Sequence, residues 1–259
     1  MKIAIIGAGN MGGAIARGLA HSNMDIKIAV ADLAQDKLDE LKAECDAIEV
    51  STDSLTIVAD ADVVLVAVKP WLVEPVLKGA LPALDLSRQI VLSIAAGVEI
   101  ATITSWLGNE QAVVFRAIPN TAISIHQSMT FVSHNANATS DQVAQVEAIF
   151  NALGKAAVIE ERLMGAATSL CSCGIAFAMR YVRAATEGGV ELGIYPNDAK
   201  QYVLQTLRGA VELLETTGNN PEVEIDKVTT PGGITIKGLN AMEAHGFTTA
   251  VIEGLKASK

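Results

Sequence analysis

Ile3-Ala4-Ile5-Ile6-Gly7-Ala8-Gly9-Asn10-Met11-Gly12 opens the chain, an apolar run of strand character that empties directly into a glycine-rich turn. A strand, Gly-x-Gly-x-x-Gly and then a helical pattern, here Met11 to Ala20, form the fingerprint of a fold that holds a dinucleotide. Gly7 permits the tight turn, Gly9 lets backbone approach a pyrophosphate, and Gly12 lets the helix lie close to the first strand. The N–H groups at the start of that helix have no helical partner and are free to receive phosphate oxygens. Asp32 ends the next apolar run at about the 20-residue distance the fingerprint requires. A carboxylate there accepts the adenosine ribose hydroxyl and repels a 2′-phosphate, which favours NADH over NADPH. Leu33 and Ala34 follow it and no Arg is at hand, so Lys37 or a residue from elsewhere would have to supply phosphate binding.

Outward from this motif the first 160 or so residues alternate short β-branched runs with amphipathic stretches, the pattern of a parallel sheet with crossover helices. Strands are expected at Ile3 to Ile6, Lys27 to Ala31, Val63 to Val68, Ile90 to Ile94, Val113 to Ala117 and Ala156 to Ile159. Their near-continuous apolar character indicates strands covered on both faces. Helices are expected at Gln35 to Glu44 and Ile100 to Leu107, and from a cap at Ser140 to about Leu153, where Gly154 ends the pattern. From Leu163 the strand signals vanish. Leu163 to Leu192 is small or apolar on nearly every face, as in a helix buried all round, and too few residues follow to cover it. A second subunit is the expected cover. Gly193 to Pro196 makes a turn, and Asp198 to Glu215 forms another helix. The expected fold is α/β: a Rossmann-type doubly wound domain over residues 1–161 and an all-helical substrate-binding and dimerisation domain over residues 162–259.

Composition narrows the partners. Half of the 259 residues are hydrophobic but only 4% are aromatic, so Ala, Val, Ile and Leu do the packing. A net charge of -10 argues against a nucleic-acid groove or an anionic membrane surface. No run reaches the ~18 apolar residues of a membrane span, and no cleavage-site pattern follows Met1, which points to a soluble, cytoplasmic chain. Cys45, Cys171 and Cys173 cannot all pair and lack the further partners of a zinc site, so reduced structural thiols and no metal are expected.

Two further segments fall at strand ends on the carboxyl side of the expected sheet, where open α/β folds bind ligands. They are Ala67-Val68-Lys69-Pro70 and Ser93-Ile94-Ala95-Ala96-Gly97, whose small residues and proline let a ring lie against backbone. Arg116-Ala117-Ile118-Pro119-Asn120-Thr121 carries polar groups towards the same edge. The cofactor contacts expected are therefore Ile6, Gly7, Ala8, Gly9, Asn10, Met11, Gly12, Asp32, Ala67, Val68, Lys69, Pro70, Ala95, Ala96, Gly97 and Asn120. Near the other end, Asp226-Lys227-Val228-Thr229-Thr230-Pro231-Gly232-Gly233-Ile234-Thr235 has the ingredients of an anion nest: hydroxyls, successive glycine N–H groups and a helix beginning after it. None of His21, His126, His134 and His245 has a serine or carboxylate at triad-like spacing.

With these residues in hand, the chain resembles the pyrroline-5-carboxylate reductases of proline biosynthesis. The resemblance runs from the Gly7 fingerprint through Val68-Lys69-Pro70, Ala95-Ala96-Gly97 and Arg116 to Thr121, and ends in Asp226 to Thr235 followed by Gly238-Leu239. The last motif is the specific one, the family being similar there as Asp-x-Val-Thr-Ser-Pro-Gly-Gly-x-Thr. The resemblance implies hydride transfer from NADPH or NADH to the C=N bond of a cyclic imine carboxylate. It implies that Thr230, Gly232 and Gly233 hold the substrate carboxylate and that Thr235 hydrogen-bonds the ring nitrogen and assists its protonation. It also implies a homodimer, or a dimer-based higher oligomer, made by interleaved C-terminal helices. The chain departs from the family at Cys171-Ser172-Cys173-Gly174-Ile175-Ala176-Phe177, where Ser-Gly-Ser-Gly-Pro-Ala-Tyr is usual, and at Ala122, where proline is usual. Two rivals share the fingerprint. A β-hydroxyacid dehydrogenase would carry a lysine on the first long helix, and Cys173 to Arg180 has none. A non-catalytic NAD(P)H sensor would have no use for the Thr230 to Thr235 turn.

Overall fold

Eight strands form one sheet within residues 1–172 in the computed structural model, which describes residues 1–259. They are β1 (Lys2–Ile6), β2 (Lys27–Ala31), β3 (Glu49–Ser51), β4 (Val63–Val66), β5 (Ile90–Ser93), β6 (Val113–Ile118), β7 (Ser128–His134) and β8 (Gly154–Val158). Their order is β3-β2-β1-β4-β5-β6-β7-β8. Every pair is parallel except β6 with β7. Ile3 pairs with Ile28 on one side and Val63 on the other, so the chain crosses over at β1 and leaves a switch point between β1 and β4.

The connecting helices are α1 (Asn10–Ala20), α2 (Gln35–Glu44), α3 (Ser54–Val58), α4 (Pro70–Ala80), α5 (Ile100–Leu107) and α6 (Ser140–Asn151). Helices on both faces explain why β4 and β5 read as apolar runs, broken only by Ser93: all eight of their residues are buried. Ile3, Ile5, Ile15, Leu65, Phe115 and Phe150 are fully buried in the core, each worth about 1.5–3 kcal/mol relative to exposure.

The boundaries differ from expectation where local chemistry decides. β4 and β5 stop at Val66 and Ser93, before Val68 and Ile94. The cap of α6 is Thr139 rather than Ser140, because Thr139 and Gln142 form a reciprocal capping box. That helix ends at Asn151, and Gly154 starts β8, which ends at Val158 instead of running from Ala156 to Ile159. Two strands were not expected. β3 has only three residues, and β7 is built of Ser, Thr and His as much as of apolar residues.

Within residues 173–259 lie α8 (Gly174–Glu191), α9 (Pro196–Thr217), α10 (Pro221–Val228), α11 (Ile234–Ala244) and α12 (Phe247–Ala257). α8 packs on α9, and α11 on α12. Asp226, Lys227 and Val228 belong to the last turn of α10, not to the turn expected from the sequence. α8 is preceded by a short α7 (Met164–Ala167) and a π-helical segment, Thr168–Cys173, so one helical run spans Glu161–Glu191. In this single chain the run is not buried all round: no residue of α8 is buried. The run is 31 residues long and contains an 18-residue window of mean hydropathy 1.3, long and apolar enough by length and composition alone to cross a membrane, where the sequence reading expected no such stretch.

Candidate functional site

The fingerprint turn is held by contacts that only glycine allows. Gly7 has φ +111°, and a Cβ on it would lie 2.7 Å from the Ala67 carbonyl oxygen. A Cβ on Gly12 would overlap the Gly7 carbonyl oxygen. The turn is thereby pressed against the end of β4, where Ala67 N–H donates to Ile6 O at 2.8 Å. Asp32 fastens the same turn from the other side: Oδ2 accepts from Ala8 N–H at 2.7 Å and Oδ1 from Ala34 N–H at 2.9 Å.

These constraints leave a cleft of about 840 Å³ along the carboxyl ends of β1, β2, β4 and β5. Ile6, Gly7, Gly9, Asn10 and Met11 form its floor. Ala67, Val68, Lys69 and Pro70 form one wall, with Ala95 and Ala96 behind them. Asp32 closes the far end beside Leu33, Lys37, Thr52 and Ser54. The expected cofactor residues thus meet at one place, with four exceptions. Ala8 is spent on Asp32 and Gly12 on packing, while Gly97 lies beyond the wall. Asn120 is buried and its side chain is engaged elsewhere: Oδ1 accepts from Ala122 N–H at 3.0 Å, and Nδ2 donates to Cys171 O at 3.2 Å. Thr52 and Ser54 were missed because they follow β3. The polar run Ser51-Thr52-Asp53-Ser54, with Asp53 capping α3, is the signal that marks them.

The cleft fits a dinucleotide. Gly9 is the N-cap of α1 and supplies no side-chain hydrogen bond, and the first helical bond runs from Gly13 N–H to Gly9 O. The N–H groups of Asn10, Met11 and Gly12 are therefore left to a ligand at the positive end of the helix. A Cβ on Gly9 would meet no heavy atom within 4 Å, so the backbone is open on the side where a pyrophosphate would lie. The volume falls within the range of ordinary small-molecule sites, roughly 300–1,000 Å³.

The second cluster lies in residues 229–235. Thr229 closes α10, its N–H and hydroxyl both donating to Asp226 O. Thr230-Pro231-Gly232-Gly233 is a tight turn closed by Gly233 N–H to Thr230 O at 2.9 Å. Proline at its second position and Gly232 with φ +73° at its third are the requirements of a type II turn. The Gly233 N–H, expected to be open to a ligand, is thus used to close the turn. The donors that remain are the Gly232 N–H and those of Ile234, Thr235 and Ile236 in the first turn of α11, whose cap Gly233 offers no side chain. No hydrogen bond within the chain engages the hydroxyl of Thr230 or Thr235. An uncapped helix start with two unengaged hydroxyls is suited to a carboxylate and one further polar atom.

Comparison with known proteins agrees with this geometry. Residues 161–259 match the family model described as pyrroline-5-carboxylate reductase dimerisation, and residues 2–97 match that described as NADP oxidoreductase, coenzyme F420-dependent. Pyrroline-5-carboxylate reductase 1 of Dictyostelium discoideum is 38% identical over 269 residues, covering 99% of this chain, which spans about half, 48%, of that relative's length. Pyrroline-5-carboxylate reductase 2 of the same organism is 35% identical over 99% of this chain and 90% of its own. The Methanosarcina acetivorans enzyme is 34% identical over 100% of this chain and 97% of its own. Among solved structures, Plasmodium falciparum pyrroline carboxylate reductase with NADP bound has a TM-score of 0.89 at 26% identity, covering 100% of this chain and 95% of that one. The Coxiella burnetii pyrroline-5-carboxylate reductase has a TM-score of 0.91 at 29% identity, covering 99% and 95%. From the glycine turn to the uncapped start of α11, the chain belongs to the pyrroline-5-carboxylate reductase family.

Proposed function

We propose that this chain reduces 1-pyrroline-5-carboxylate to L-proline, with the cofactor in the cleft of residues 6–96 and the substrate carboxylate at the 229–235 turn. As a member of its family it is an NAD(P)H-dependent oxidoreductase. The observation that carries the proposal is the uncapped start of α11 with the Thr230 and Thr235 hydroxyls beside it. Bound NADH or NADPH supplies the hydride. Thr230, Gly232 and the N–H groups opening α11 bind and orient the carboxylate, and Thr235 hydrogen-bonds the ring nitrogen through its hydroxyl and assists its protonation, the proton coming from solvent. A protonated imine is already an electrophile, so positioning and one hydrogen-bonding group suffice. In the cleft, the proposed cofactor contacts are Ile6, Gly7, Gly9, Asn10, Met11 and Asp32 together with Ala67 to Pro70, Ala95 and Ala96, with Gly12 contributing only its backbone N–H.

The Asp32 carboxylate, which lines the cleft after β2, supports NADH as the preferred cofactor, since a carboxylate there accepts a ribose hydroxyl and repels a 2′-phosphate. Lys37, which shares that end of the cleft with Thr52 and Ser54, supports the second reading, NADPH. The helical unit is proposed to begin at residue 162 and to work as a homodimer or dimer-based assembly in the cytoplasm. A second copy, rather than lipid, covers the long helix. The family's dimerisation model supports this, as do Arg180, Arg183 and Glu187, which a bilayer would penalise. Thr235→Ala tests the assignment. Turnover should fall about a hundredfold, the usual contribution of a positioned proton donor, while the NAD(P)H dissociation constant stays put. Equal loss of both would remove Thr235 from the reaction.

A further inference from the structure

The buried polar groups at the end of β6 have no place in the site described so far. Arg116, 7% exposed, has an Nε without any partner, while its Nη1 lies 3.3 Å from Glu161 Oε1. The same Glu161 oxygen accepts Ile100 N–H at 2.7 Å and so caps α5, whose own cap Glu99 contributes no side-chain bond. Four residues after Arg116, Asn120 donates to Cys171 O inside the π-helical segment. Glu161 and Cys171 belong to one helical run and are ten residues apart, about 15 Å along a helix axis. With Met164, Ala167 and Ser169 buried between them, the two points that far apart fix the direction of the run at both of its ends. That run continues past Ser172 as α8 and leads into the helices that carry the 229–235 turn.

We propose that Arg116 and Asn120 are positioning residues, which through Glu161 and Cys171 aim the helix leading to the substrate turn. The proposal rests on the reductase reading above. It gives Asn120 a role other than cofactor contact, and it gives the π segment a purpose, since the Cys171 carbonyl there is turned to a side chain of β6's loop.

Two variants cut the clamp while sparing the local fold. Asn120→Asp keeps an oxygen for Ala122 N–H and loses the donor to Cys171; Glu161→Gln keeps an acceptor for Ile100 N–H and loses the charge facing Arg116. In each, kcat should fall about tenfold, as expected when reacting atoms are displaced by a fraction of an ångström, with the imine KM and the cofactor dissociation constant within about twofold of the parent. The double variant should be little worse than either single one, because the two points act together. Amide hydrogen exchange of residues 161–173 should quicken in both, while the strands stay protected. Unchanged exchange and unchanged kcat would overturn the clamp. A weakened cofactor would return Asn120 to the cleft, and a raised KM at full kcat would make Glu161 a substrate contact; either overturns the proposal. An unmodified chain that reduces no imine overturns the reductase reading instead, and the exchange data then judge the clamp alone.

Discussion

Residues 1–172 and 173–259 fold under different terms. The first part buries a full core of its own, with β4 and β5 at zero exposure apart from Ile90 at 2%. In the second, Ala199 and Glu224 are the only buried residues, and large apolar side chains such as Met179, Tyr202 and Val211 stand more than half exposed. The cleft proposed for the cofactor is thus a property of one chain's own packing, while the helices that carry the 229–235 turn leave large apolar side chains exposed. The match of residues 161–259 to a dimerisation family agrees with such exposure, since helices of this kind gain hydrophobic stabilisation on association.

The difference can be broken most severely at α8. Met179→Asp costs a lone chain about 0.5 kcal/mol or less, as exposed substitutions do, but places a charge in the middle of the face that a second copy is proposed to cover. Sedimentation should show the assembly falling to single chains, with turnover lost and cofactor binding kept. A variant that keeps its mass would show that the face is covered some other way. A smaller effect sharpens the self-contained half. Asp32→Asn should shift the ratio of NADPH to NADH efficiency about tenfold towards NADPH, the equivalent of about 1.4 kcal/mol of charge repulsion. A constant ratio would pass the choice to Lys37. The smallest is Thr139→Ala, which removes the capping box of α6 and should lower stability by about 1 kcal/mol without moving kcat. A changed kcat there would tie the far end of the sheet to the reaction.

The legible parts of this fold are those where one physical signal acts alone. Ile3 to Gly12 announces strand, turn and helix because apolar periodicity and glycine sterics agree, and Lys27 to Ala31 and Gln35 to Glu44 carry equally plain patterns. β7 escaped because its buried face sets Ser128 and Thr130 beside Val132, and these two hydroxyls read as loop until they are seen to bond each other. β3 is too short to show a period. The cleft was legible residue by residue as far as backbone contacts go. Asn120 was not, since its side chain serves a carbonyl fifty-one residues away that no local pattern reveals. At the other end, Gly233 looked like an open donor, and only the turn geometry shows its N–H closed onto Thr230.

The most direct measurement is the consumption of NADH and NADPH by the unmodified chain with 1-pyrroline-5-carboxylate, beside a six-membered cyclic imine acid and a 3-hydroxy acid run in reverse. Rapid oxidation with the five-membered imine, accompanied by proline formation and none with the hydroxy acid, is the predicted result. Tight cofactor binding with no turnover of any imine would contradict it and leave a cofactor-binding protein whose 229–235 turn serves another ligand.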